Sequence, residues 1–290
     1  TVIVTDHHSL VKTEEGEPLL PPADAIITPQ RTDCSYPFKG LCGAAVAYKL
    51  CAALLKYRGV EDADDYLREL VAFVAIATVC DVMDLVGENR IFVKHGLEQL
   101  NSTKNKGLLA LMDAAGLTGA RLNTFHLGYI IGPCLNASGR LDTAKMGLAL
   151  LLADSKEEAI RLAGELVELN NVRKSMTQKN VEKAIALIEG SSLKDDMILL
   201  VYLEDCHESI AGIIAGRIRE RYNRPAIILT DAHDCIKGSG RSIEHYNMIE
   251  ELQKYRHLFL KLGGHPMAAG MSLLKENIEE LRSLLNCNTS

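Results

Sequence analysis

The sequence Thr1-Val2-Ile3-Val4-Thr5-Asp6-His7-His8 places three potential metal-binding side chains directly after an apolar, β-rich run. Such a run predicts a buried strand. In open α/β sheets the chemistry lies at the carboxyl ends of the strands. Two imidazoles beside a carboxylate suit a transition metal, or a metal-activated water beside a phosphate group, although a double histidine can also cap a helix or fill a turn. We therefore expect an α/β fold with a candidate metal site at Asp6, His7 and His8.

The length and composition are those of a globular protein with room for two domains. Of the 290 residues, 47% are hydrophobic and 24% are charged. Because no apolar run reaches about 18 residues, we expect no membrane-spanning helix. The eight cysteines form no C-x-x-C pair, which favours buried, reduced thiols in a cytoplasmic protein over a zinc-thiolate site. The net charge of −6 argues against a protein that coats nucleic acid with a generally basic surface, but it is compatible with a local basic groove.

The start of the chain is abrupt for a domain. Thr1 opens directly on the first predicted strand, without an initiator methionine. We therefore expect the sequence to be a piece of a longer protein, whose missing part lies beside the Asp6-His7-His8 motif.

A long helix is predicted between two α/β regions. Ser155 and Glu158 form a capping box, and apolar residues then recur every three or four positions, without a proline, to about Glu189. Strand and helix patterns resume after Gly190. We expect a first domain over 1–153, a connecting helix over 154–190 and a smaller α/β domain over 191–290.

Two further motifs in the first half could carry chemistry. Asp81 and Asp84 close an apolar helix, where a cation would offset the negative helix end, although solvated carboxylates are equally common there. The stretch Asn136-Ala137-Ser138-Gly139-Arg140 is interpreted as a turn leading into a helix. Its backbone donors and guanidinium suit a phosphate, while an ordinary loop with a surface arginine is an equal alternative.

Glycine-rich segments lie in the second half at Gly238–Ser242, where Ile236–Gly240 is interpreted as a strand or a turn, and at Gly263–Gly270, which is interpreted as a turn. Glycines let a ligand approach the backbone closely while Arg241 or His265 holds its charge. Each segment is a weak signal alone, but His207-Glu208-Ser209 before a glycine-containing helix adds to them.

The order of these motifs resembles that of the DHH/DHHA1 phosphoesterases. The resemblance covers nearly the whole chain, and the ordered set is far more specific than any single motif. It implies an incomplete parallel-sheet DHH domain, joined by the long helix to a smaller α/β DHHA1 domain. Within that family, the segments Leu41–Ala47 and His207–Arg217 fit the branch of single-strand-specific exonucleases. The matching segments are Asp6–His8, Leu41–Ala47, Ala77–Arg90, Leu135–Leu141, His207–Arg217, Gly238–Ser242 and Gly263–Gly270.

The resemblance also implies roles for individual residues. It makes His7 and Asp81 metal ligands, and it makes Asp6 and His8 catalytic residues. Asp6 would orient the metal site, and His8 would face the scissile phosphate. The remaining implied contacts are to substrate, with Asn136 and Arg140 near the cut, and Ser239, Arg241, Gly264 and His265 at the terminal nucleotide.

The implied activity is Mn²⁺- or Mg²⁺-dependent hydrolysis of single-stranded DNA from its 5′ end, releasing 5′-mononucleotides in DNA repair and recombination. The family's Asp-x-Asp motif and a further Asp lie on strands before the DHH strand, so the two-metal site is expected to be incomplete here. A downstream OB-fold domain would also be absent. We therefore expect this piece to be inactive alone. The implied partners are single-stranded DNA, a single-strand-binding protein and a helicase, in the cytoplasm and without a membrane.

Two other interpretations stay open. A DHH/DHHA1 phosphodiesterase of short oligoribonucleotides or cyclic dinucleotides would share these motifs, although the long 85–135 segment and the long helix favour the exonuclease branch. The non-enzymatic alternative is a fragment that binds nucleotides without cutting them.

Overall fold

The computed structural model describes residues 1–10, 16, 18–141 and 144–287, without the side chains of Arg140 and Leu141. It is a mixed α/β structure, which confirms the predicted fold class. The chain divides into two compact units, Thr1–Glu168 and Leu169–Ser290.

The first unit combines a small parallel sheet with a set of helices. The two strands pair in parallel, with Val4 opposite Ile26. A π-helical turn, Leu127–Ile131, joins two of the helices without a break. The elements are β1 (Ile3–Thr5), β2 (Ala25–Ile27), α1 (Gly43–Arg58), α2 (Ala63–Cys80), α3 (Gly87–Leu100), α4 (Lys106–Ala114), α5 (Thr124–His126), α6 (Gly132–Leu141) and α7 (Lys145–Leu151).

Two apolar clusters hold this unit together. The smaller cluster lies between α1, α2 and α3 and includes Val46, Val74 and Phe92. The larger cluster joins α2, α4, the π-helical turn and α7, and its fully buried members include Leu111 and Leu127. Burial of each such side chain stabilises the fold by about 1.5–3 kcal/mol.

Strand β1 forms where the sequence predicts it, but the prediction that it is buried is wrong. The side chains of Val2 and Ile3 are 55% and 53% exposed. The physical reason is that, among the described residues, β1 has one neighbouring strand, β2, and a limited contact with α1, so Ile3 is exposed while Val4 and Thr5 are only half-buried.

The prediction of a turn at Asn136–Arg140 is also wrong, because this stretch lies inside α6. The chain passes through Gly132 and Pro133 from π-helical to α-helical geometry. The physical reason is that Pro133 lies in the first turn of α6, where its missing amide hydrogen costs little. The backbone N–H groups of 136–139 are therefore committed to the helix.

A single helix of 34 residues, α8 (Lys156–Glu189), follows α7. The amide of Glu158 donates to the Ser155 hydroxyl at 3.1 Å, which confirms the predicted N-cap. The boundary between the two units falls inside this helix, after Glu168. The division into 1–153, 154–190 and 191–290 stays a prediction.

The second unit is built on a five-stranded mixed sheet in the order β3-β4-β5-β7-β6. Alternate residues of β4 feed two cores, because Ile228 packs with the helix α9 while Ile227 packs with α10 and α11. The elements are β3 (Leu199–Tyr202), α9 (Glu208–Tyr222), β4 (Ala226–Asp231), β5 (Ile236–Arg241), α10 (Met248–Gln253), β6 (Phe259–His265), β7 (Ala268–Leu273) and α11 (Ile278–Cys287).

Both glycine-rich segments of this unit lie in strands, which selects the strand alternative for the first segment, while the second contains a two-residue turn at Pro266 and Met267 between its two strands. Gly238 to Arg241 belong to β5, and Gly263 to His265 belong to β6. The physical reason is that glycines here permit close approach of packed side chains. A Cβ atom at Gly238 would lie 2.5 Å from a methyl group of Leu229.

The eight cysteines are free thiols, but the expectation that they are buried is only partly met. Cys42, Cys134 and Cys206 are buried, whereas Cys51, Cys80 and Cys287 are exposed, the last two because each is the final residue of its helix. No helix within the described ranges is both long and apolar enough to cross a membrane.

The neighbouring glycines of β6 give a matched test of this fold. Gly264 has a φ of +156°, and a Cβ atom there would lie 2.3 Å from the carbonyl oxygen of Ala268, whereas a Cβ atom at Gly263 would meet nothing within 4 Å. We predict that Gly264→Ala lowers the free energy of unfolding by at least about 2 kcal/mol. Gly263→Ala should change it by less than about 1 kcal/mol, in the stabilising direction. Urea unfolding of both variants measures this, and equal midpoints would contradict the described hairpin.

Candidate functional site

The Asp6-His7-His8 motif forms a compact cluster at the carboxyl end of β1. The Asp6 carboxylate accepts hydrogen bonds from the amide of His7 at 2.7 Å and from the amide of His8 at 3.3 Å. It also bonds His8 Nδ1 at 2.7 Å, and this side-chain bond leads the causes that lower the pKa of Asp6. Asp6 is therefore an ionised carboxylate that fixes the orientation of both following residues.

The imidazole of His7 reaches the end of a different element, α2. Its Nε2 atom lies 3.3 Å from Oδ2 of Asp81, the residue that caps α2. The His7 side chain is 15% exposed, while that of Asp81 is 45% exposed. The structure therefore brings together the two predicted metal ligands, which are 74 positions apart in the sequence.

Three buried residues, Cys42, Thr78 and Asn89, connect the elements around His7 and Asp81. Sγ of Cys42, directly before α1, lies 3.4 Å from Oγ1 of Thr78 on α2. The side-chain amide of Asn89 donates to the carbonyl of Gly40 at 2.7 Å and to that of Asp84 at 2.9 Å. Because Gly40 precedes α1 and Asp84 follows α2, Asn89 joins the loops on either side of the site. The sequence motif contained Asn89, but only its burial shows this role.

The donor set at this point fits a divalent metal ion. Ligand atoms of Asp6, His7 and His8 all lie within 4.8 Å of one another. Two ligands at right angles around an ion, each about 2.1 Å away, are separated by about 3 Å, close to the distance between His7 and Asp81. Imidazole and carboxylate together suit Mn²⁺ and other divalent transition metals.

Backbone strain follows directly after Asp81, the second predicted ligand. Val82 has a φ of +55° and is 87% exposed. A β-branched residue in this region is an outlier, at a cost of about 1–2 kcal/mol. Its amide and that of Met83 bond back to α2 at the carbonyls of Val79 and Thr78. This tight reversal fixes the direction in which the chain leaves Asp81.

The predicted substrate contacts of the first unit lie on α6. Asn136 is exposed, and the side chain of Arg140 lies outside the described part of the structure. Helix α6 packs against the end of α2, because a Cβ atom at Gly132 would lie 2.3 Å from Sγ of Cys80. Cys80 is adjacent to Asp81 in the chain, so α6 and the metal-binding motif belong to one neighbourhood.

In the second unit, the four predicted residues lie on β5 and β6, the two strands that flank β7. Arg241, Ala268 and His265 are paired across β5, β7 and β6, and Ser239, Gly270 and Gly263 form the next paired row. Directly paired residues project from the same face of a sheet. We call these six residues the open face. Cβ atoms at Gly263 and Gly270 would meet nothing within 4 Å, so no side chain of the described residues covers the middle of the open face.

The open face places a cation beside a floor of small residues. Arg241 donates from Nη1 to the Ser239 hydroxyl at 3.0 Å and to the Gly240 carbonyl at 2.8 Å. Helix α9 passes over this pair, where a Cβ atom at Gly212 would lie 2.7 Å from Nη2 of Arg241. Gly212 thus leaves room for the Arg241 guanidinium in this position, a role that the sequence did not indicate. Gly264 lies one residue out of phase with the open face, beside Ala269.

Comparison with known proteins gives these two sites a family. Residues 195–288 match the DHHA1 domain family. The single-stranded-DNA-specific exonuclease RecJ of Bacillus subtilis (strain 168) is 38% identical over 287 residues, which are 98% of this chain and 35% of that protein. The chain therefore spans about a third of the length of that relative.

Two solved structures extend the similarity to the fold. RecJ from Thermus thermophilus in complex with Mn²⁺ matches 98% of this chain and 40% of its own chain, with 30% identity and a TM-score of 0.83. A structure of exonuclease RecJ bound to manganese matches 98% of this chain and 68% of its own, with 30% identity and a TM-score of 0.78. The chain belongs to the RecJ family.

Proposed function

We propose that the complete gene product containing this sequence is a metal-dependent exonuclease that hydrolyses single-stranded DNA from its 5′ end to 5′-mononucleotides. The single observation that carries the proposal is the approach of His7 to Asp81 in a chain of the RecJ family. Mn²⁺ or Mg²⁺ is the proposed cofactor, and its charge would polarise the scissile phosphate and activate water.

In this proposal each residue of the DHH motif has a separate role. His7 and Asp81 hold the metal, while Asp6 fixes the conformation of the loop that follows β1 and carries His7 and His8. Asp6 accepts a hydrogen from Nδ1 of His8, so the neutral His8 ring has its Nε2 atom available as an acceptor. The His8 side chain is 75% exposed, and Nε2 can therefore meet a phosphate or the water beside it.

The open face of the second unit is the proposed binding surface for the terminal nucleotide. Arg241 and His265 stand on either side of Ala268, about 10 Å apart across two strand spacings. A phosphate between them would receive charged donors from one or both sides. Asn136 and Arg140 are proposed to contact the DNA backbone near the cut.

Repair and recombination are the proposed setting, in the cytoplasm, with a single-strand-binding protein and a helicase as partners. Family membership supports these three points, and the described surface adds nothing to them.

The direct test is hydrolysis by the complete gene product, purified with Mn²⁺ or Mg²⁺. We expect 5′-mononucleotides from single-stranded DNA with a free 5′ end, little product from blunt duplex DNA, and no product in EDTA. Release of label from the 3′ end first would contradict the stated polarity. Preference for a dinucleotide over a long single strand would instead favour the oligonucleotide phosphodiesterases.

Asp81→Asn tests the metal site without changing its shape. Loss of one negative ligand should weaken Mn²⁺ binding by at least about tenfold, measured by titration calorimetry on the complete gene product. Asp113→Asn is the matched control, because Asp113 lies in the same unit and its carboxylate accepts a hydrogen bond from the hydroxyl of Thr118. Unchanged Mn²⁺ affinity in Asp81→Asn would remove Asp81 from the ligand set.

Arg241→Lys tests the open face. Lysine keeps the charge but loses the fork of donors, so binding of a 5′-phosphorylated single strand should weaken about tenfold or more. The loss should be smaller for the same strand with a 5′-hydroxyl group, a difference that a purely structural defect would not produce. Arg217→Lys on the exposed side of α9 is the control. Equal losses for both strands would show that Arg241 does not hold the terminal phosphate.

A further inference from the structure

Two aromatic rings lie stacked on the surface at the start of the helix that leads into α6. Phe125 and Tyr129 have ring centroids 5.0 Å apart and an interplanar angle of 24°. Phe125 is 58% exposed and Tyr129 is 70% exposed. The chain has only 5 phenylalanines and 9 tyrosines and no tryptophan, so a stacked pair left in solvent is a costly use of scarce aromatic residues.

The pair is held rigidly by the residues around it. The helix begins with a reciprocal cap, in which the amide of Asn123 donates to Nδ1 of His126 at 3.1 Å and the amide of His126 donates to Asn123 Oδ1 at 3.2 Å. Leu127 and Ile131, on the other side of the helix, are fully buried. The aromatic rings therefore project from a fixed backbone and do not contribute to the apolar core.

The pair also lies close to the metal-binding motif. The helix packs against α2 through two glycines, because a Cβ atom at Gly128 would lie 3.4 Å from Val79 and one at Gly132 would lie 2.3 Å from Cys80. Cys80 directly precedes Asp81. A π-helical turn, Leu127–Ile131, carries Tyr129, and such turns are frequent at functional sites.

The exposed side of the helix continues from the rings toward the proposed DNA-backbone contacts. Phe125, Tyr129 and Asn136 are all exposed, whereas Leu127, Ile131 and Cys134 between them are buried. Seven residues span about 10 Å along a helix. One short segment of a single strand could therefore meet the rings and Asn136 together.

We propose that Phe125 and Tyr129 form a stacking platform for an unpaired base of the DNA strand, next to the metal-binding motif. This inference rests on the proposed function. Every base has a flat face, so stacking accepts any sequence but requires that the base be unpaired. In a duplex that face is occupied by neighbouring base pairs, and the platform therefore contributes to selection of single strands.

The test measures binding of a single-stranded oligonucleotide to the complete gene product in EDTA, at one salt concentration, so that no cleavage occurs. In the oligonucleotide, one abasic position is moved stepwise from the 5′ end. We expect the wild-type protein to lose affinity about 5- to 150-fold at one particular position. Phe125→Ala/Tyr129→Ala should show a similar loss with the intact strand and no further loss at that position.

Three variants serve as controls for this experiment. Tyr129→Phe keeps the ring and should bind like the wild type, whereas Phe125→Leu/Tyr129→Leu stays apolar without stacking and should bind like the alanine variant. Tyr57→Ala removes a tyrosine that is 87% exposed in the same unit and should leave binding unchanged.

Three results would overturn the proposal. One is an alanine variant that binds as tightly as the wild type. Another is weaker binding with an unchanged abasic profile, which would indicate a structural defect. The third is a lower melting temperature with unchanged binding, which would show that another part of the protein covers the rings. Failure of the wild-type protein to bind single-stranded DNA would instead overturn the proposed function.

Discussion

The contact between His7 and Asp81 is the interaction on which the candidate metal centre depends. It joins the carboxyl end of β1 to the carboxyl end of α2, at 3.3 Å between Nε2 and Oδ2. Two negative features, a helix end and a carboxylate, meet there, and a divalent cation would offset that repulsion. The surrounding fold stabilises this contact. Asn89 is hydrogen-bonded to the loops on both sides, and the strained reversal at Val82 directs the chain away from the carboxylate.

In the second unit, part of one sheet face is uncovered in the described residues, and the sheet nevertheless keeps a packed core. Small residues make this possible because Gly263, Gly270 and Ala268 expose little apolar surface where no helix covers β6 and β7 in the described part of the chain. The opposite face of the same strands is packed by Met271 and Leu273, so the sheet keeps a full core on one side. The positive charge of Arg241 lies at the edge of this uncovered face, next to Gly212 of α9.

The sequence predicted the local elements better than the contacts that assemble these sites. The long helix was predictable because apolar spacing and the Ser155 cap are local signals. The strands β6 and β7 were not, because their glycines favour turns, whereas the turn itself is confined to Pro266 and Met267. The continuous helix through Pro133 was missed for a similar reason, since the π-helical turn before it depends on packing against α2. Asn89 and Gly212 acquire their roles only from tertiary neighbours.

The most direct measurement of the central claim is an anomalous diffraction map of the complete gene product crystallised with Mn²⁺. Placement of His7 and Asp81 as shared ligands predicts a manganese peak within bonding distance of Nε2 of His7 and of a carboxylate oxygen of Asp81, with Asp6 and His8 still joined beside it. A map in which His7 and Asp81 contact each other directly, while manganese binds elsewhere, would contradict it.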